Sequence, residues 1–368
     1  MKIAFNLIKD LFIIFLIVLV LDITVGKFVY KKFLRKNLQD VNLDHGISSN
    51  IFDHDFKKNV NKIVGWGDRR VKLCTDDNGF RVSCDYKIKK NKSFDIAIIG
   101  DSMTQGVGLE YEETYSGLIS KHFVGKKIAN LGQTSYSTAI YFAKINHFIK
   151  ENFKFDEIVV FLDQSDIRDD VLCYSLNGEV VVRRKTFKGC MNNLSDKNIK
   201  YKIFFQNNFR LINTSLDIIT KNLANFGLLE EKIPKAIINH SSSEWVYNFR
   251  KEHFNGLNFD QAISISLQNM NLLYQVLKKN GIKLSLVIFP HPSTLFYNKK
   301  KSNYEEIWKK FCEKKCNKFM NITPIFVREL NDNNFTNIYK KYYIENDVHF
   351  NKAANKLIAD FFIENYKK

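Results

Sequence analysis

Two short stretches of this chain hold residue types suited to nucleophilic chemistry. Gly100-Asp101-Ser102 directly follows an apolar run, Phe94 to Ile99, and precedes a helical pattern. Functional groups in open α/β sheets gather at the carboxyl ends of strands. A serine placed there becomes a nucleophile when a base can reach it. The second stretch, Asn346-Asp347-Val348-His349, stands just before the last helical pattern. In an extended segment residues i and i+2 point the same way. Asp347 can therefore bond one imidazole nitrogen of His349 and leave the other for Ser102. Such a set attacks an acyl carbonyl: the imidazole takes the serine proton and the carboxylate fixes the tautomer. Taken alone, a histidine in that place more often caps or packs.

The elements that must position these residues read as an alternation. Phe94 to Ile99, Lys127 to Leu131, Glu157 to Leu162 and Lys283 to Phe289 are short apolar runs that fit buried parallel strands. Glu112 to Phe123, Thr138 to Lys150, Phe259 to Asn280, Tyr304 to Lys315 and Lys352 to Tyr366 carry helical patterns. Gly281 stands where a helix-ending glycine is expected. Strand and helix in turn imply an α/β fold with a parallel sheet. The stretch from about 169 to 258 breaks the rhythm and reads as an insertion, a lid or a substrate-facing surface.

Together these residues resemble the SGNH hydrolase family, also called GDSL esterases. Gly100-Asp101-Ser102-Met103-Thr104-Gln105-Gly106 is similar to the family's first block, with the nucleophile at Ser102. Glu112-Glu113-Thr114-Tyr115 matches the helix start often seen after it, and Asn78-Gly79-Phe80-Arg81 resembles a lead-in of some relatives. Asn130-Leu131-Gly132-Gln133-Thr134-Ser135-Tyr136-Ser137-Thr138 resembles the second block, and the resemblance assigns an oxyanion amide to Gly132. Asp347-Val348-His349 resembles the terminal block. The third block departs: where the family has Gly-x-Asn-Asp, this chain has Asp163-Gln164-Ser165-Asp166. Ser165 stands in place of the oxyanion asparagine. Losing one oxyanion donor costs about 10²–10³ in rate. Ser165 or Gln164 compensates, the amides of Ser102 and Gly132 suffice, or the domain binds without turnover.

The rest of the chain sets the context. The formal net charge of +17 suits an anionic polymer or membrane surface. The lysines are spread out and no zinc-finger or RNP-type motif occurs, so no nucleic-acid partner is expected. Six cysteines fall into local pairs, Cys74 with Cys84, Cys173 with Cys190, and Cys312 with Cys316. That pairing suggests disulfides and an oxidising compartment. The last pair is the weakest, because cysteines four apart on a regular helix are poorly placed to bridge. Leu11 to Leu21 is uncharged and apolar and reads as the centre of an uncleaved signal anchor. The basic residues Lys27, Lys31, Lys32, Arg35 and Lys36 after it argue for a cytoplasmic C-terminal side. The cysteines argue the opposite and weigh more, since long domains translocate largely regardless of charge.

The expectation is thus a three-layer, doubly wound parallel sheet of SGNH type, with an N-terminal transmembrane helix and a mid-chain insertion. Residues 1–36 form the anchor, 37–93 a stalk and lead-in, and 94–368 the catalytic domain with its insertion at about 169–258. Ser102, His349 and Asp347 are the catalytic set, with Ser102, Gly132 and Ser165 as oxyanion donors. Asp101, Gln164, Asp166 and His291 line the site; no metal or other cofactor is required. The expected reaction is ester hydrolysis or acyl transfer on an acylated small molecule or cell-surface glycan. The expected location is the inner membrane, single-pass, with the domain on the periplasmic side. The alternative is a non-catalytic binding or assembly protein for cell-surface polysaccharide on the same fold. Oligomeric state is not legible.

Overall fold

The structure, a computed structural model, describes residues 2–26, 45–67, 69–86, 91–187, 212, 219, 254–296 and 303–367. The chain forms two compact units, Met1–Val41 with Met191–Lys232, and Asn42–Cys190 with Ile233–Lys368.

In the first unit, α1 (Lys2–Leu21) is followed by a π-helical turn, Asp22–Gly26. The Asp22 carboxylate accepts from the Ile212 amide at 2.8 Å. Ile13, Ile14, Ile17, Val18 and Val20 are exposed. Among the described residues no helix is long and apolar enough to cross a membrane, so the expected transmembrane helix finds no support here. Lys9, Asp10 and Asp22 confine the uncharged run to Leu11–Leu21, well short of the roughly 20 residues a span needs. The basic residues from Lys27 to Lys36, on which orientation turned, lie outside the described residues.

The second unit starts with a hairpin of β1 (Gly46–Ser49) and β2 (Asp53–Phe56). Next come β3 (Asn61–Trp66), β4 (Arg69–Thr75), antiparallel to β3, and β5 (Arg81–Val82), antiparallel to β4. Then follow β6 (Ser93–Gly100), β7 (Ile128–Asn130) and β8 (Lys154–Leu162), a small hairpin of β9 (Tyr174–Asn177) and β10 (Val180–Arg183), and finally β11 (Lys283–Ile288) and β12 (Lys318–Asn321). The main sheet has the order β12-β11-β8-β6-β7-β5-β4-β3. Its five strands from β12 to β7 are parallel. Counted along the chain, those five run 5-4-3-1-2, the doubly wound order whose switch point falls between β6 and β8. The expected sheet was parallel throughout; the three antiparallel strands come from the segment expected as a stalk. That segment instead enters the sheet, where Arg81 on β5 pairs with Asn130 on β7.

The helices are α2 (Ser102–Gln105), α3 (Tyr115–His122), α4 (Thr138–Lys150), α5 (Ser165–Leu172), α6 (Phe259–Lys279), α7 (Pro292–Phe296), α8 (Tyr304–Cys312), α9 (Thr323–Asp332), α10 (Phe335–Tyr342) and α11 (Lys352–Tyr366). Alternation along the central strands sorts their side chains into two cores. Ala97, Ile99, Ile158, Val160, Leu284 and Leu286 pack beneath α4, α6 and α8. Ile96, Ile98, Val159, Phe161 and Val287 pack beneath α3, α9, α10 and α11. Covered on both faces, the sheet is the middle of three layers.

Two further expectations change. The expected insertion begins later than residue 169: Asp170 is fully buried and accepts from Thr138 Oγ1, the Ala139 amide and Ser266 Oγ, so α5 belongs to the core. Most of the remaining insertion, 188–253, lies outside the described residues, as does Cys190, the expected partner of the disulfide-bonded Cys173. The helix expected over 304–315 ends at Cys312, and the turn after it brings Cys316 back to bridge Cys312 with the Cα atoms 4.6 Å apart. Cys74 and Cys84 bridge as expected.

Candidate active site

The site is assembled where β6 turns into α2. Gly100 ends the strand with no room for a side chain, since a Cβ would meet the Phe161 carbonyl oxygen at 2.6 Å. Asp101 caps α2, its Oδ1 accepting from the Met103 amide at 2.9 Å, and Ser102 opens the helix. Gly106 closes it at φ 77°, in the left-handed region. Arg81, fully buried on β5, donates to the carbonyls of Gln105, Gly106 and Leu109. Among the described residues its guanidinium bonds only to carbonyls, and desolvation pulls its pKa down to about 10. The Asn78-Gly79-Phe80-Arg81 lead-in therefore pins the turn that carries Ser102.

The loop before α11 brings the other two residues. His349 Nε2 lies 2.8 Å from Ser102 Oγ, and His349 Nδ1 lies 2.7 Å from Asp347 Oδ1. An ionised carboxylate only accepts, so Nδ1 carries the proton and Nε2 is left to accept from the serine hydroxyl. Asp347 is held from several sides. Its Oδ1 accepts from the Val348 amide at 2.6 Å, its own amide meets Tyr339 Oη at 2.9 Å, and its Oδ2 accepts from the indole of Trp66. Burial alone would raise this carboxyl, but the bonds from His349 and Trp66 and the imidazole charge bring it down to about 2. Trp66 sits at the end of β3 and packs edge-on against His349, with ring centroids 4.9 Å apart. Nothing in the sequence reading singled it out.

The expected oxyanion donors fare differently. The Gly132 amide donates to Asn130 Oδ1 at 2.9 Å, a local side-chain turn that engages the hydrogen the resemblance assigned to an oxyanion. Gly132 is required for a different reason: a Cβ there would meet Thr104 Cβ and Cγ2 at 2.6 Å and the Gln105 amide nitrogen at 2.7 Å. Ser165 Oγ donates to Asp163 Oδ2 at 2.7 Å, so its hydroxyl hydrogen is also engaged. The Ser102 amide, in the first turn of α2, has no partner within the helix.

The lining residues gather around these atoms. Ser102 Oγ is 3.3 Å from Asp101 Oδ2. Gln164 donates through Nε2 to Thr294 Oγ1, while its Oε1 is buried without a partner. Asp166 accepts from Tyr141 Oη at 3.0 Å and from the Asp163 amide at 3.1 Å. His291 is buried with Nδ1 2.8 Å from Ser293 Oγ, and burial followed by the nearness of His349 lowers its pKa to about 3. Desolvation, then the neighbouring acids, pushes the Asp101 and Asp166 carboxyls well above their ordinary range. Among the described residues no cluster of His, Cys, Asp and Glu has the makings of a metal site.

The loop after β7 is tied down by groups that sequence reasoning also missed. Gln105 Oε1 accepts from the Thr134 amide at 2.7 Å, and His54 Nε2 meets the Thr134 carbonyl at 2.7 Å. His54 Nδ1 in turn meets Asp53 Oδ2 at 2.8 Å, and Arg183 Nε donates to Asp53 Oδ1 at 2.6 Å. Asp53 adopts φ 74°, a strained setting for a residue with a side chain. That positive φ is invisible in sequence.

No family model matches the chain, and no curated protein matches it. Among solved structures it is similar to TesA, at 11% identity and a TM-score of 0.39, over 74% of this chain and 98% of that one. A lipolytic protein of the G-D-S-L family from Veillonella parvula aligns at 11% identity and a TM-score of 0.38, over 74% and 98%. A GDSL-like lipase from Bacteroides thetaiotaomicron aligns at 10% identity and a TM-score of 0.35, over 76% and 90%. Likeness at this level leaves the chemistry to be read from the site's own geometry.

Proposed function

We propose that the second unit is a serine-dependent esterase or acyltransferase of SGNH type. The observation that carries this reading is the continuous hydrogen-bonded line from Ser102 Oγ through His349 to Asp347. As Ser102 Oγ attacks an acyl carbonyl, His349 Nε2 takes its proton, and Asp347 stabilises the imidazolium that forms. The tetrahedral adduct collapses when His349 returns that proton to the leaving alcohol. Water or an acceptor hydroxyl, deprotonated by the same imidazole, then releases the acyl group from Ser102 and restores the starting state. The choice between water and a second alcohol separates hydrolase from transferase.

The proposed substrate is an acylated small molecule or cell-surface glycan, and the +17 net charge favours an anionic polymer. The location proposed is extracytoplasmic at the inner membrane, and the local disulfides favour its oxidising side. A second reading, a binding or assembly protein for surface polysaccharide, draws on the engaged hydrogens of Gly132 and Ser165.

Release of p-nitrophenol from short acyl esters, compared between wild type and Ser102→Ala, tests the proposal. Turnover lost in the variant supports the serine mechanism. Equal rates in both would sink it. Two inert, folded proteins that also bind an acylated glycan equally well would favour the binding reading.

A further inference from the structure

Asp163 occupies a critical place. The register pairs Gly100 on β6 with Phe161 on β8. Ser102 and Asp163 therefore lie the same two steps beyond this paired position on neighbouring strands, which run about 4.8 Å apart. Both sit at the switch point, where the developing oxyanion on a Ser102 adduct needs a donor from the β8 side. The residue expected to serve there, Ser165, has turned its hydroxyl to Asp163 Oδ2 instead.

The charge state of Asp163 follows from its surroundings. Asp101, Asp163 and Asp166 are each at most 4% exposed. Among the described residues none of the three forms a salt bridge with a cation. Three ionised carboxylates cannot share a dry site of this kind, so protons are retained. Hydrogen bonding indicates where. Asp101 accepts from the Met103 amide and faces the Ser102 hydroxyl. Both oxygens of Asp166 face Tyr141 Oη at 3.0 Å. Asp163 Oδ2 accepts from Ser165, but its Oδ1 is buried and has no partner. An ionised oxygen left bare in such a place is the costliest arrangement; an O–H there is a donor awaiting an acceptor.

We propose that Asp163 acts as a neutral carboxylic acid whose Oδ1–H donates to the oxyanion that forms on the Ser102 adduct, supplying the hydrogen bond that Ser165 does not. The inference rests on the reading of Ser102 as nucleophile and adds a catalytic residue to it. The proton stays on Oδ1 throughout, and no bond to Asp163 is made or broken. Were Asp163 ionised, it would stand as an anion beside a developing anion and oppose the reaction.

The groups that set this state are Asp101 from the end of β6, Asp166 and Asp169 with Arg168 from α5, and the His349 imidazole. The phenols of Tyr141, Tyr115, Tyr304 and Tyr343, on α4, α3, α8 and the loop after α10, lie within electrostatic reach of it. Burial raises the Asp163 carboxyl, opposed in part by the Ser165 hydroxyl, by the backbone amides of Gln164 and Ser165, and by the His349 charge. Activity should therefore fall as pH rises and Oδ1 loses its proton.

The experiment measures kcat and KM against pH with a p-nitrophenyl ester for wild type, Asp163→Asn and Asp163→Ala, with Ser102→Ala as baseline. The amide of Asp163→Asn donates at any pH. It should keep kcat within about tenfold of wild type and lose the alkaline decline. Asp163→Ala should lose about 10²-fold in kcat at pH values below the alkaline decline, with KM little changed, and should converge with wild type as Oδ1 of the latter loses its proton. An alkaline decline that persists unchanged in Asp163→Asn would overturn the proposal, as would an Asp163→Ala as active as wild type below that decline. If Asp163→Ala does not fold, the Asp163→Asn profile decides alone. Wild type no faster than Ser102→Ala would defeat the nucleophile reading itself.

Discussion

Trp66 donates its indole hydrogen to Asp347 Oδ2 although the two residues are 281 positions apart. The same ring stands at 87° to the His349 imidazole. An added strand at the edge of the sheet thus buttresses the acid and the base together. Hydrogen bonds to charged groups contribute about 1.5–3 kcal/mol, and oriented catalytic groups lose rate when their support loosens. Trp66→Phe keeps the ring and loses the donor; it should lower kcat by about 10-fold. Trp66→Ala also loses the packing against His349 and should fall further. Steady-state rates for the pair check both; equal rates for wild type and Trp66→Phe would show that Trp66 does not position Asp347.

The Asp347 carboxyl gives a pH-dependent stability with a definite sign. Its folded pKa, about 2, lies below the ordinary value of 3.8. The folded state therefore favours the ionised form, and the stabilisation is fully present above the unfolded pKa. It is lost as pH falls from about 4 to about 2, an order of 2 kcal/mol for a shift of this size. Chemical denaturation of wild type and Asp347→Asn across that range should show the difference between them shrinking as acid is added. A constant difference would contradict the assignment.

Ser165→Ala separates an oxyanion role from a buttressing one. Direct donation to the oxyanion by Ser165 would make the substitution cost about 10²–10³ in kcat. With its hydroxyl held on Asp163 Oδ2 at 2.7 Å, the expected loss is under about tenfold. Single-turnover acylation rates distinguish the two.

Gly132→Ala tests packing at the second block. The added methyl would press on Thr104 and on the Gln105 amide at 2.6–2.7 Å, and overpacking of this kind costs about 1–3 kcal/mol. A lowered Tm with weakened Ser102 reactivity is expected. An unchanged Tm would mean that the loop after β7 does not seat against α2 as described.

The three residues of the candidate triad were legible because each is announced locally. Ser102 follows an apolar strand and glycine, and Asp347 and His349 sit two apart in an extended segment before a helix. Their meeting across 247 positions follows from the doubly wound sheet, which the strand–helix rhythm also announces. What could not be read depends on contacts. Trp66 ends a strand whose burial alternates weakly, so its segment read as a stalk. β12 is four residues long, and α9 and α10 lie between polar runs that no pattern flagged. The consequence of Asp163 in place of glycine emerges only once the direction of the Ser165 hydroxyl is known. The Cys312–Cys316 pair ranked weakest on regular helix geometry, yet it bridges because the helix ends at Cys312.

The most direct test of the account is mass-spectrometric mapping of a fluorophosphonate adduct on the wild-type chain and on His349→Ala. The account predicts rapid, stoichiometric modification of Ser102 in wild type and a rate lower by orders of magnitude in His349→Ala, because the base 2.8 Å from Ser102 Oγ is gone. A folded wild-type protein left unmodified at Ser102, or equal labelling of the two proteins, would contradict it.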